Sequence, residues 1–121
     1  MTYEQILSDI KKRVFHPIYF LMGEEPFFID TISDELENNI LDEAERSFNQ
    51  IILYGSDVTA KDIMSQARAF PMMGDYLVVI VKEAQNVKDI ESLSEYLDKL
   101  PSTTILVINY KYKKLDKRKA L

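Results

Sequence analysis

The sequence predicts a three-layer α/β domain, a parallel sheet flanked by helices on both faces. Three observations predict it. Short, largely apolar runs at 18–22 (IYFLM), 77–81 (LVVIV) and 103–108 (TTILVI) read as strands covered on both sides. Segments of helical periodicity alternate with them, in the order α, then β-α three times, then β, which suits right-handed crossovers. The 121 residues, 46% hydrophobic and 29% charged, have the size and balance of one ordinary globular domain spanning 1–121.

Each element has its own justification. Thr2-x-x-Gln5 is a capping box, and Ile6, Ile10 and Val14 follow at intervals of four, so a first amphipathic helix runs up to Pro17. The first strand is 18–22. Beyond Gly23, Pro26 suits the opening turn of a helix whose inward stripe is Ile29, Ile32, Leu36 and Ile40. Phe48 leads into a second strand at 51–54, closed by Gly55. Thr59-x-x-Asp62 starts a helix that turns Ile63, Ala67 and Phe70 inward, until Pro71 and Gly74 break it. After the third strand, Asp89 to Leu100 repeats the helical pattern through Ile90, Leu93, Leu97 and Leu100, and Pro101 ends it. The fourth strand is 103–108. No internal repeat, linker or low-complexity segment interrupts this series.

Composition excludes several chemistries. With no cysteine there is no disulfide, thiolate zinc site or cysteine nucleophile. The single histidine, His16, precedes Pro17 and reads as a loop residue rather than a metal ligand. No apolar run approaches the ~20 residues that span a bilayer. MTYEQILSDIKKR is polar and helical in pattern, unlike a secretory signal, so a cytoplasmic protein without membrane partners is expected. The net charge of −5 is uneven: KYKKLDKRKAL (111–121) has six basic residues and one acid, while the body is strongly acidic. The body repels a DNA duplex; the tail could meet phosphate or an acidic partner, or be a solvated helix start. Tyr110 and Tyr112 alternate with lysines, as in a base-stacking surface or, more commonly, a strand edge. The ending KRKAL is neither a helix cap nor a flexible tail, which suggests a fragment of a longer chain.

PIYFLMGEEPFFID keeps the strand–glycine–helix frame of a Walker A loop, G-x-x-x-x-G-K-[ST]. Counted from Gly23, however, the glycine, lysine and hydroxyl positions hold Phe28, Ile29 and Asp30. Glu24 and Glu25 add negative charge where phosphate would sit, and Phe27 and Phe28 read more simply as helix residues packing on the sheet. The third strand ends in Lys82-Glu83 where a Walker B motif needs a metal-binding aspartate. Both halves of an ATPase signature are therefore present in frame and broken in chemistry. No G-x-S-x-G elbow or histidine-based pairing offers another catalytic site, and no metal or cofactor is expected.

FPMMGDY (70–76) is the most unusual stretch. Met72 and Met73, flanked by Phe70, Pro71 and Gly74, stand after one helix has ended and before the next strand begins. Exposed at a loop tip, two such side chains mark a partner surface, and methionine adapts to a foreign apolar pocket. Folded back, they would lie under the sheet edge. Sequence leaves both readings open.

The whole chain resembles the N-terminal domain of the delta subunit of the bacterial DNA polymerase III clamp loader. Four stretches carry the resemblance in order: PIYFLMGEEPFFID, FNQIILYGSDVT, ARAFPMMGDYLVVIVKEAQNV and LPSTTILVINYKYKKLDKRKAL. It implies an AAA+, P-loop-like (RecA-like) nucleotide-binding fold with a degenerate nucleotide site and no activity of its own. It implies membership of a DNA-directed DNA polymerase (nucleotidyltransferase) complex that serves DNA replication. It also implies binding and opening of the β sliding clamp, through two adjacent apolar side chains that fall at Met72 and Met73. These depart from the commoner Phe-Phe or Leu-Phe. The family's ATPase and delta-prime subunits would be met through C-terminal regions not present here, and DNA only in the assembled complex. The competing readings are a divergent P-loop NTPase and a plain α/β interaction domain.

Overall fold

A computed structural model describes residues 2–111; the basic segment that follows, with Tyr112, lies outside them. The main elements are α1 (Tyr3–Lys11), β1 (Ile18–Gly23), α2 (Pro26–Asn39), α3 (Glu43–Asn49), β2 (Gln50–Tyr54), α4 (Ala60–Ala67), β3 (Leu77–Lys82) and β4 (Thr104–Lys111). Alternation along β3 and β4 sorts the core into two halves. Leu77, Val79, Val81, Leu106, Ile108 and Tyr110 face α4 and the turns after β3. Val78, Ile80, Ile105 and Val107 face α1 and α2, where Ile10, Ile29, Ile32, Leu36 and Ile40 meet them. Successive side chains point to opposite faces, so a strand with no polar member needs cover on both. The three-layer expectation holds.

The sheet order is β1-β4-β3-β2, and every neighbouring pair is parallel. The central strands β3 and β4 are almost wholly buried, whereas β1 and β2, read as covered strands, are edges and only partly so. Their apolar runs match the core on one side and meet looser cover on the other. In a parallel sheet the strands share polarity. The loops after Gly23 and Lys82, and Lys111 itself, therefore lie at one end, and the segments before Gln50 and Leu77 at the other.

Local signals set the helix starts. The capping boxes at Thr2/Gln5 and Thr59/Asp62 form as read, and Pro26 opens α2. A further box, Asp42/Glu45, starts α3, a helix the periodicity does not predict. Its signal, D-x-x-E, stands in the sequence, but a seven-residue helix is too short to show a stripe. Phe48 lies on this helix instead of leading a strand.

Several expectations need correction, most of them overruled from elsewhere in the fold. Val14 does not extend the inner stripe of α1. The chain turns left-handed at Arg13, whose guanidinium donates to the Asn39 and Ile40 carbonyls and closes the end of α2. Phe70 is outward, because α4 stops at Ala67, whose carbonyl accepts from the buried Thr104 hydroxyl. Residues 90–95 and 97–99 form 3₁₀ turns, not an α-helix. Asp89, where the helical pattern begins, accepts from the Ala60 N–H of α4, and Ile90 and Leu93 still reach the core at three-residue spacing. Phe27 and Phe28 lie on α2 but face away from the sheet; Phe28 meets Tyr3 of α1 edge-on at 4.8 Å. Tyr110 is also no stacking surface: it is buried against Phe20.

Gly55, just after β2, touches the backbone that follows β3. A Cβ there would stand 2.0 Å from the Glu83 carbonyl oxygen. Gly55→Ala is therefore expected to lose ~1–3 kcal/mol or more of stability through overpacking, read from urea unfolding. A loss below half that range would show that the contact yields freely.

Candidate functional site

The 68–76 segment is fixed at both ends. The Thr104 hydroxyl holds Ala67, and the Leu77 N–H donates to the Thr103 carbonyl at 2.9 Å. Between these anchors the chain is carried outward past α3. Met73 has φ 61° and Gly74 φ 100°, so two consecutive residues are left-handed. For methionine this conformation costs ~1–2 kcal/mol. A side chain at Gly74 would also meet Glu45 Oε2 at 2.7 Å. The Glu45 carboxylate ends a flexible side chain and can yield, so it is the positive φ that favours glycine there.

The resulting tip exposes its apolar side chains. Met72 is 66% exposed, Met73 90% and Phe70 72%, with Pro71 half-buried at their base. Of the two arrangements the sequence left open, the structure has the projecting one. Phe48, 62% exposed, stands on α3 beside the methionines. Ala44, Glu45, Phe48, Asn49, Met72 and Met73 line a groove of about 260 Å³, apolar apart from its rim. Neighbouring apolar side chains left in water mark a contact surface, since single exposed residues are ordinary but clusters are costly. Phe48 escaped the sequence reading because the helix that aims it was not recognised.

The opposite end of the sheet carries the glycine turn that in sequence has the frame of a Walker A loop. Gly23 ends β1, and the Glu25 carboxylate accepts from the Phe27 N–H at 3.2 Å, capping α2 from within. Glu25 thus places its own negative charge at the helix start, where a phosphate would otherwise be favoured. Phe28 is half-exposed, Ile29 is buried in the core and Asp30 points to the end of β4. There Lys111 Nζ lies 2.6 Å from Asp30 and 3.1 Å from Glu83. Glu83 is itself left-handed at φ 54°, and Gln85 donates to its carboxylate while accepting from the Lys111 N–H. Lys82 pairs with Glu37 of α2 at 3.1 Å. A lysine read as part of a basic tail therefore closes a charge cluster inside the fold. Burial pulls the Lys111 pKa down, but hydrogen bonds and attraction from Asp30 and Glu83 outweigh it and raise the value above the ordinary 10.5. Among the described residues no group of three or more His, Cys, Asp or Glu could hold a metal, and no helix is long and apolar enough to cross a membrane.

Comparison with known proteins gives a consistent result. Residues 19–121 match the family described as DNA polymerase III, delta subunit. A curated relative, DNA polymerase III subunit delta of Bacillus subtilis, is 26% identical over 126 residues, covering 96% of this chain and 36% of the relative. A solved structure, the Bacillus subtilis DNA clamp loader delta protein, superposes with a TM-score of 0.82 at 23% identity, covering 97% of this chain and 38% of that one. The chain thus spans somewhat over a third of each relative's length.

The charge cluster gives a pH-dependent prediction. Lys111→Met is expected to lose about 1 kcal/mol near neutral pH, a modest value because Asp30 and Glu83 are partly solvated. A raised folded-state pKa means the stabilisation is fully present below 10.5 and lost as pH rises through the folded value. Urea midpoints of wild type and variant should therefore converge above pH 10.5. Parallel curves through that window would contradict the assignment.

Proposed function

The chain belongs to the DNA polymerase III delta subunit family, and from that premise we propose that its Met72–Met73 tip docks on the β sliding clamp. The observation that carries this reading is the exposure of both methionines on a segment anchored at each end. In this role the protein is a noncatalytic clamp-loader subunit. It binds the clamp and helps open it for loading onto primed DNA in the cytoplasmic replisome. Two adjacent methionines fill an apolar pocket with little shape demand, which suits a contact that must form and release. Assembly with the ATPase and delta-prime subunits, and DNA contact only within that assembly, belong to the same reading.

The fold supports a lost nucleotide site of the AAA+ kind. A parallel sheet with a glycine turn before α2 keeps the frame of a phosphate loop, while Glu25 and Asp30 bring carboxylates to it and Phe28 stands at the position of the second glycine. Bound ATP would have to displace the Glu25 cap and meet the carboxylates of Asp30 and Glu83. ATP hydrolysis then falls to other subunits of the loader.

Surface plasmon resonance against purified β clamp tests the docking reading. Met72→Ala with Met73→Ala is expected to cost ~2–4 kcal/mol of binding, on the scale of interface hot spots. Wild-type affinity in a well-folded double variant would remove the assignment. The competing NTPase reading predicts ATP·Mg²⁺ binding in equilibrium dialysis at millimolar concentration. Retention of nucleotide there would restore it, and none is expected.

A further inference from the structure

One buried side chain joins the two elements of the tip. Asn49, the last residue of α3, is 1% exposed, and its carboxamide hydrogen-bonds the backbone of the tip. The Met72 N–H donates to Asn49 Oδ1 at 2.6 Å. Asn49 Nδ2 donates to the Met72 carbonyl at 3.2 Å and to the Met73 carbonyl at 2.7 Å. The amide therefore reads one N–H and two carbonyls of successive residues, a pattern available only when the chain is in its left-handed turn.

We propose that Asn49 is the positioning residue of the docking tip, preorganising Met72 and Met73 for their partner. The inference rests on the docking reading above and deepens it. A left-handed methionine persists only where its surroundings over-determine it, and such strain gathers at ligand clamps. Here three hydrogen bonds from a rigid, buried amide offset the strain, and Glu45 walls off the far side of Gly74. Asn49 touches no partner itself. It keeps the side chains of Met72 and Met73 projecting beside Phe48, so that binding does not have to order the tip.

The carboxamide is the group this geometry needs. Aspartate would keep an acceptor for the Met72 N–H but turn a carboxylate toward two carbonyl oxygens. Leucine would keep the branched shape, with somewhat greater bulk, and lose all three hydrogen bonds. Glutamine would bring the same amide one methylene too far along a short, already filled path.

Asn49→Leu and Asn49→Asp are tested in three ways. Amide hydrogen exchange in the free protein should speed up about tenfold or more at Met72 in Asn49→Leu, with the sheet amides of Val79 and Leu106 unchanged. Affinity for purified β clamp should fall about tenfold or more in both variants. Adding Met73→Ala to Asn49→Leu should lose little beyond the single changes, because both act on one element. Unchanged Met72 exchange, wild-type affinity, or fully additive losses would overturn the proposal. If Asn49→Leu does not fold, the affinity of Asn49→Asp decides. Absence of clamp binding by the wild-type protein would sink the docking reading instead, and Met72 exchange would still show whether Asn49 holds the tip.

Discussion

Covering both faces of β3 and β4 is the constraint from which the rest of the structure follows. These strands carry Val78, Val79, Ile80, Val81, Leu106, Val107 and Ile108 with essentially no exposure. Each such side chain gains ~1.5–3 kcal/mol from leaving water. No two-layer arrangement can bury both sides of a wholly apolar strand. The helices must therefore divide, α1 and α2 to one face and α4 with the 3₁₀ turns to the other. Parallel pairing follows, because each strand has to be re-entered from the same end after a covering segment.

Parallel strands give the sheet two unlike ends, and the protein uses them differently. At the end where strands finish, backbone amides and helix starts would ordinarily attract an anion. Here that end is closed from inside: Glu25 caps α2, and Lys111 holds Asp30 and Glu83 together. At the end where strands begin, the loop before β3 is pushed out beyond α3 and leaves Met72 and Met73 in water. The first end has become part of the scaffold. The second presents a surface.

The elements legible in sequence are those decided by neighbours in the chain. A capping box needs only its own four residues, so the starts of α1 and α4 were readable. The runs at 77–81 and 103–108 needed only their apolarity. Failures occurred where a distant group took over a local one. Asp89 serves α4 rather than its own segment, and Arg13 leaves α1 to close α2. Thr104, 37 residues on, ends α4 early and so turns Phe70 outward. The candidate site shows the same division. Met72, Met73, Pro71 and Gly74 stood out by type and spacing, while Phe48 and Asn49 had no signal without α3.

By itself the sequence determined the class of fold, the absence of a Walker A lysine and hydroxyl after Gly23 and the presence of an apolar pair at a break between elements. These depend on residue type and short-range order. Tertiary structure alone decided that the pair projects, that Phe48 joins it and that Asn49 holds it in a left-handed turn. It also decided that Lys111 joins Asp30 and Glu83 in a partly solvated ion cluster at the end of β4. The reason is reach: Asn49 lies 23 residues from Met72, and Lys111 meets carboxylates from two other elements. Such contacts exist only after the sheet has brought its ends together, and no local pattern in the chain encodes them.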